Sequence, residues 1–317
     1  MKDSFHSSKK IPPELQKELM ERKDNPGLIR FILMYILFLG LNVWVVISWG
    51  VWWQFGIAIA GLSVLCCSFF ACEHETVHKT AFKTQMLNKV AARLCGIGHL
   101  YPSIAFQELH FTHHRHTHVP GKDPEITFGD RPMPSVVSNL PMYLSWLTGL
   151  PLLMFKVFML FFSAIGMPEA VRKKVYPFIR PKVRGKLALE SILILLIWMG
   201  LAALAIWVNP GFWGIFIPQV TGHCLLAGYT AAEHNGLPHE GDILNRTRSI
   251  RAGKLVKAVM WNMPYHAEHH AYPAIPFHAL PKLHEAIKEE LVHQELGHPA
   301  FHLKALSGEF SGQRKSG

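Results

Sequence analysis

Eight histidines fall into three short clusters. They are His74 and His78 in H-E-T-V-H, His110, His113 and His114 in H-F-T-H-H, and His266, His269 and His270 in H-A-E-H-H. On a helix, residues three and four apart share a face, so each cluster aims two or three rings at one point. Neutral imidazole ligates iron, copper, zinc and nickel. One tetrahedral zinc takes only three or four ligands, so eight rings point to two metal ions sharing a site. Histidine-rich non-haem iron with an open position can activate dioxygen, and two such ions could together attack an unactivated C–H bond.

The residues around the clusters add detail. A metal-bound histidine usually gives its outer N–H to a carboxylate or carbonyl. Glu73, Glu75, Glu108, Asp123, Glu233, Glu268 and Asp242 are placed for that role, with Glu108, Asp123, Glu233 and Glu268 as the principal expectations. His116 and His118 extend the second cluster and could ligate, support a ligand or face solvent. His99, His239, His278, His284, His293, His298 and His302 read as structural or surface residues. His223 lies within an apolar stretch, where an ionisable residue suggests function. It shares a helical stripe with Ala227, Thr230 and His234, so His223 and Thr230 could line a substrate tunnel; a histidine bonded to a neighbouring helix is the alternative.

The elements that position these residues are membrane helices. The chain of 317 residues is 50% hydrophobic, with a mean hydropathy of +0.17. That fits a membrane part joined to a sizeable aqueous part. Four stretches approach the roughly 20 apolar residues a crossing takes: Leu28–Ser48, Val51–Ala71, Lys186–Val208 and Gly211–Ala231. The expected fold is an all-α integral membrane protein, with two helical hairpins and a helical cap on the cytoplasmic side holding a two-metal site. The second span is expected to run on past the membrane and deliver His74 and His78. Residues 1–27 read as an N-terminal segment in which Ile11 to Lys23 forms an amphipathic helix on the membrane. Residues 28–290 form the main domain and 291–317 a C-terminal tail. Leu280, Leu283, Ile287 and Leu291, where the two meet, mark an amphipathic helix. No cleavable signal peptide is evident.

Charge sets the orientation. Lys2, Lys9, Lys10, Lys17, Arg22, Lys23 and Arg30 precede the first span. Lys79, Lys83, Lys89, Arg93, Arg172, Lys173, Lys174, Arg180, Lys182 and Arg184 lie between the second and third. The short links Trp49-Gly50 and Asn209-Pro210 are uncharged, so both termini and all the clusters are expected in the cytoplasm. Pro141 to Gly166 is apolar but is expected not to cross, because a crossing would separate the third cluster from the first two. The net charge of +10 needs no nucleic acid; anionic lipid headgroups account for it. The cysteines Cys66, Cys67, Cys72, Cys95 and Cys224 read as free thiols, and the absence of a C-x2-C pair removes support for a zinc ribbon.

The histidine series in this membrane setting resembles the membrane-bound fatty acid desaturase family. The likeness covers roughly residues 28 to 290 and extends to the runs HHRHTHVPGKDPE (His113 to Glu125) and WNMPYHAEHHAYPAIPFHALPKLH (Trp261 to His284). The stretch AEHNGLP (Ala232 to Pro238) is similar to the family segment that supplies a further ligand, here His234. The family often places an asparagine-type residue one turn earlier, where this chain has Thr230. The resemblance implies two iron ions held by the eight clustered histidines and His234, with dioxygen as co-substrate. It also implies desaturation of a fatty-acyl or lipid chain, with electrons from a separate ferredoxin, rubredoxin or cytochrome b5-type donor. A hydroxylase or ketolase acting on a lipid, carotenoid or smaller molecule would use the same centre, and spacing does not separate them. A histidine-rich metal-binding or transport protein would need polar ligands deep in several spans, where only His223 is evident. A membrane zinc hydrolase would need fewer histidines and a metal-bound water with a general base.

Overall fold

Helix α2 (Asn25–Ile47) and helix α3 (Trp52–Val77) form the first hairpin, closed by a short turn in which Gly50 takes a left-handed φ of 91°. The computed structural model describes residues 11–129 and 131–310. Lys2, Lys9 and Lys10, and the tail beyond residue 310, lie outside the described residues. Only 11% of the most apolar window of α2 is buried, against 56% for α3. The outer helix therefore offers its apolar side chains to lipid, whereas α3 is the central post. As expected, α3 runs on past its apolar part and carries Glu73, His74 and Glu75.

After α3 come α4 (Gln85–Gly98), which packs along it, and α5 (Ser103–His116). The bent pair α6 (Leu140–Leu147) and α7 (Leu150–Ala164) follows, then α8 (Glu169–Lys174) and α9 (Arg184–Trp207). Next are α10 (Ile217–His234), α11 (Lys254–Val259), α12 (His266–Ala271), α13 (Leu280–Ile287) and α14 (His298–Leu306). The described residues are mostly helical. Two pairs of two-residue strands depart from an all-α reading. Thr127–Phe128 runs antiparallel to Arg131–Pro132, and Ser249–Ile250 runs parallel to Gln294–Glu295.

Among the described residues, three helices are long and apolar enough to cross a bilayer: Asn25–Ile47, Trp52–Val77 and Pro181–Trp207. The expected fourth, Gly211–Ala231, is not one of them. Pro210 and Pro218 break it into a 3-10 turn (Pro210–Ile215) and α10, and α10 carries Gln219, Thr221, His223, Thr230 and Glu233. Much of α10 is buried in the bundle, and its principal partner is α3. Helices α6 and α7 pass the same test only as a pair, bent by 57° at a break where Gly149 has a φ of 68°.

The amphipathic helix expected at Ile11–Lys23 is shorter, α1 (Pro13–Leu19). Its apolar side is not free for lipid. Ile11, Leu15 and Leu19 pack with Leu280, Leu283 and Ile287 of α13, and Lys282 reaches Glu18 at 2.5 Å. The predicted apolar face of α13 is met in full, with Leu280, Leu283, Ile287 and Leu291 all buried. In the expected C-terminal tail, Phe301 and Ala305 of α14 are buried with Tyr143, Ala231 and Ala232. All five cysteines are free, four of them buried.

Candidate metal centre

Four helices deliver the rings. α3 supplies His74, and His78 caps its C-terminus; α5 supplies His110, His113 and His114; α10 ends on His234; and α12 supplies His266, His269 and His270. In each cluster the short helical spacing turns the rings to one side. His74, His78, His110, His114 and His269 form one group, each offering a nitrogen within 4.8 Å of the others. His113, His234 and His270 form a second group by the same measure. His266 joins it, with Nε2 2.8 Å from His234 Nε2 and its ring centroid 4.5 Å from that of His270. The two groups adjoin, since the rings of His114 and His270 stack at 4.2 Å. All nine expected ligands are thus in the centre, divided five and four.

The nitrogens meet nose to nose. His78 and His110 approach to 2.7 Å, His269 and His114 to 3.2 Å, and His113 and His270 to 3.3 Å, each Nε2 to Nε2. Nitrogens each about 2.0–2.1 Å from one ion lie roughly 3 Å apart, so the donor set fits a pair of cations. Burial holds the His110, His114, His266, His269 and His270 rings well below the ordinary histidine range, and neighbouring imidazoles add to this. Those rings are neutral, the form that ligates. His113 goes the other way: burial opposes its charge, but Asp123 and Glu125 carry it up to about 9.

The outer nitrogens divide the expected acids. Asp123 sits as predicted, 2.9 and 3.0 Å from His113 Nδ1, and also accepts the backbone N–H groups of His118 and Glu125. Glu233 lies 3.5 Å from His266 Nδ1, and Glu75 lies 3.7 Å from His74 Nδ1. Glu108 does not serve a histidine: it accepts from both sides of the Arg180 guanidinium and from the Arg180 backbone N–H. Glu268 serves a histidine, but not one of the centre. It accepts from Ser249 Oγ at 3.0 Å and pairs with His284 Nδ1. Asp242 caps the turn Ile243–Asn245.

Two supports were not foreseen. His234 Nδ1 donates to the Arg246 carbonyl at 2.9 Å, and Thr117 Oγ1 lies 3.3 Å from His270 Nδ1. His116 and His118 join neither group; His118 Nδ1 donates to the Pro238 carbonyl at 2.9 Å. Thr230 gives its hydroxyl to the Leu226 carbonyl at 3.0 Å. His223 is fully buried inside the bundle, outside both groups. His99, read as an ordinary structural residue, is bonded to Glu73 and Lys156 in the same interior.

Among curated proteins none matches this chain. The family model for fatty acid desaturases matches residues 47–302, a span that includes every ring of the centre. That match covers most of the chain, which therefore belongs to the fatty acid desaturase family.

Proposed function

We propose that the chain is an oxygen-dependent di-iron oxidoreductase that desaturates an aliphatic fatty-acyl or lipid chain. One iron is held by His74, His78, His110, His114 and His269, and the other by His113, His234, His266 and His270. The observation that carries this reading is the gathering of nine imidazoles into two adjoining groups. Bound there, the metal pair supplies the redox capacity to activate dioxygen and remove hydrogen from an unactivated C–H bond. The chain's own residues do the positioning. Asp123 and the Arg246 carbonyl fix the tautomers of His113 and His234 by taking their Nδ1–H. The protein is multi-pass, with termini and centre on the cytoplasmic side, and a separate small redox protein of ferredoxin, rubredoxin or cytochrome b5 type supplies electrons.

Mass spectrometry of lipids from cells expressing the chain, beside a His269→Ala control, tests the reaction. A product lighter by two hydrogens supports it. Incorporation of an atom from labelled dioxygen moves the assignment to a hydroxylase on the same centre, and oxygen-independent hydrolysis overturns it.

A further inference from the structure

A second polar cluster lies inside the bundle, one helical face away from the metal centre. Glu73 of α3, His99 at the end of α4, Lys156 of α7 and His223 of α10 are each at most 1% exposed, and Tyr101 is 3% exposed. Lys156 Nζ lies 2.9 Å from His99 Nδ1, and His99 Nε2 lies 2.6 Å from Glu73 Oε2. An ammonium only donates, so His99 accepts at Nδ1 and passes its Nε2–H to Glu73. Lys156 has two further N–H groups, and Nζ sits 5.3 Å from the centre of the Tyr101 ring. His223 Nδ1 is 2.5 Å from the Gln219 carbonyl and so carries the proton. Its Nε2 is therefore a bare acceptor, and it has no hydrogen-bond partner; nor has the Tyr101 hydroxyl. Gln219, whose carbonyl takes the His223 proton, gives its own side-chain N–H to the carbonyl of Gly98, the neighbour of His99, at 3.0 Å, so His223 adjoins the Lys156–His99 pair.

Burying a lysine and leaving an imidazole nitrogen unpaired in an apolar bundle are both costly. The spare groups are complementary in kind: a donor on Lys156, an acceptor on His223, and a hydroxyl on Tyr101 that does either. An alkyl chain satisfies none of them. A carboxylate would leave His223 Nε2 unpaired and would face Glu73. An alcohol accepts from Lys156 and donates to His223.

Position supports the same ligand. On one side, the Phe70 ring centroid lies 6.5 Å from both His99 and the metal-centre ring His74. On the other side is an apolar cavity of about 430 Å³, lined by Phe38, Val46, Leu62, Cys66, Trp198 and Gln219 among others. Cys66 Sγ is 4.0 Å from His223 Nδ1, and Gly98, next to His99, also lines the cavity. Metal centre, polar cluster and apolar cavity therefore follow one another.

We propose that Lys156, His223 and Tyr101 bind a hydroxyl group carried within the aliphatic substrate. The cavity takes the chain beyond the hydroxyl, and the metal centre meets the chain on the near side. The identity of this ligand as the substrate rests on the desaturase reading; the binding site does not. Lys156, His223 and Tyr101 are specificity-determining residues in this account, not metal ligands.

The test is binding of 8-hexadecanol, 8-hexadecanone and hexadecane to the purified metal-loaded protein in detergent, followed by competition with a fluorescent alkyl probe. The alcohol should bind about tenfold tighter than the alkane, with the ketone between them. Lys156→Met should abolish that preference while iron content is unchanged. Tyr101→Phe, which removes one hydroxyl, should reduce it and serves if the lysine variant does not fold. Equal binding of alcohol and alkane by the unaltered protein overturns the proposal, as does a preference that survives in folded Lys156→Met. An alcohol preference in a protein that does not dehydrogenate lipids keeps the site and sinks the desaturase reading instead.

Discussion

The two groups of rings are built from one residue type and yet are held differently. The four-ring group is buried throughout, and three of its four outer nitrogens are tied. His113 is fixed by Asp123, His234 by the Arg246 carbonyl and His270 by Thr117, with Glu233 beside His266. In the five-ring group His78 and His114 are partly exposed, and the nearest carboxylate to His74, Glu75, stands 3.7 Å off. The exposed aromatic Phe111 lies against His78, with ring centroids 5.6 Å apart. Outer hydrogen bonds set ring orientation and ligand basicity. The four-ring group is therefore the rigid anchor, and the five-ring group is the edge at which the centre opens.

Removing a ring from the anchor should do the most damage. His270→Ala is expected to lower lipid oxidation by roughly 100-fold or more, since loss of even an outer partner costs about 10–100-fold. Full activity in that variant, measured as product per iron, would break the comparison. Next in size is Asp123→Asn, which keeps the shape but weakens the hold on His113. A loss of about 10–100-fold in activity or metal affinity is expected, and a chelator competition series reads it. Glu268→Ala sharpens the contrast, because that acid joins Ser249 to His284 and not to a ring of the centre. It should cost about 2–3 kcal/mol of stability, seen as a lower Tm, with iron retained. The smallest effect belongs to Glu108→Ala. Its partner Arg180 has a side chain 57% exposed, so about 1 kcal/mol or less is expected, without change in metal content.

Those last two acids also mark how far the sequence is legible. Clustered histidines at helical spacing announce a shared face, and the structure brings all nine expected rings together. Glu268 and Glu108 were expected beside the rings, and the same helical rule accounts for their absence there. Glu108 lies two residues from His110, and Glu268 two residues from His266 and from His270, a rotation of about 200° along a helix; Glu268 is also turned about 100° from its neighbour His269. Asp123 was reachable because it follows the α5 helix in the loop that folds back on it. The Arg246 carbonyl was not, because any residue can present a carbonyl and only the tertiary fold chooses which. The division of rings into five and four was hidden for the same reason. α1 and α10 share an ambiguity that the sequence does not resolve: an apolar face looks alike whether lipid or protein covers it. Ile11 and Leu19 meet α13, and α10 leans on α3. Lys156 lies in the apolar run Pro141–Gly166, where no neighbour in sequence announces a partner. Its partner His99, 57 residues away, and the Glu73 that His99 bonds in turn come from two other elements.

The central claim is that two iron ions occupy two unequal groups. Metal analysis of the purified chain, with His78→Ala and His113→Ala beside it, tests this most directly. The account predicts iron near two per chain in the unaltered protein. It predicts greater loss in His113→Ala, which removes an anchored ring, than in His78→Ala, which removes one at the open edge. Zinc near one per chain, or iron near two in both variants, would contradict it.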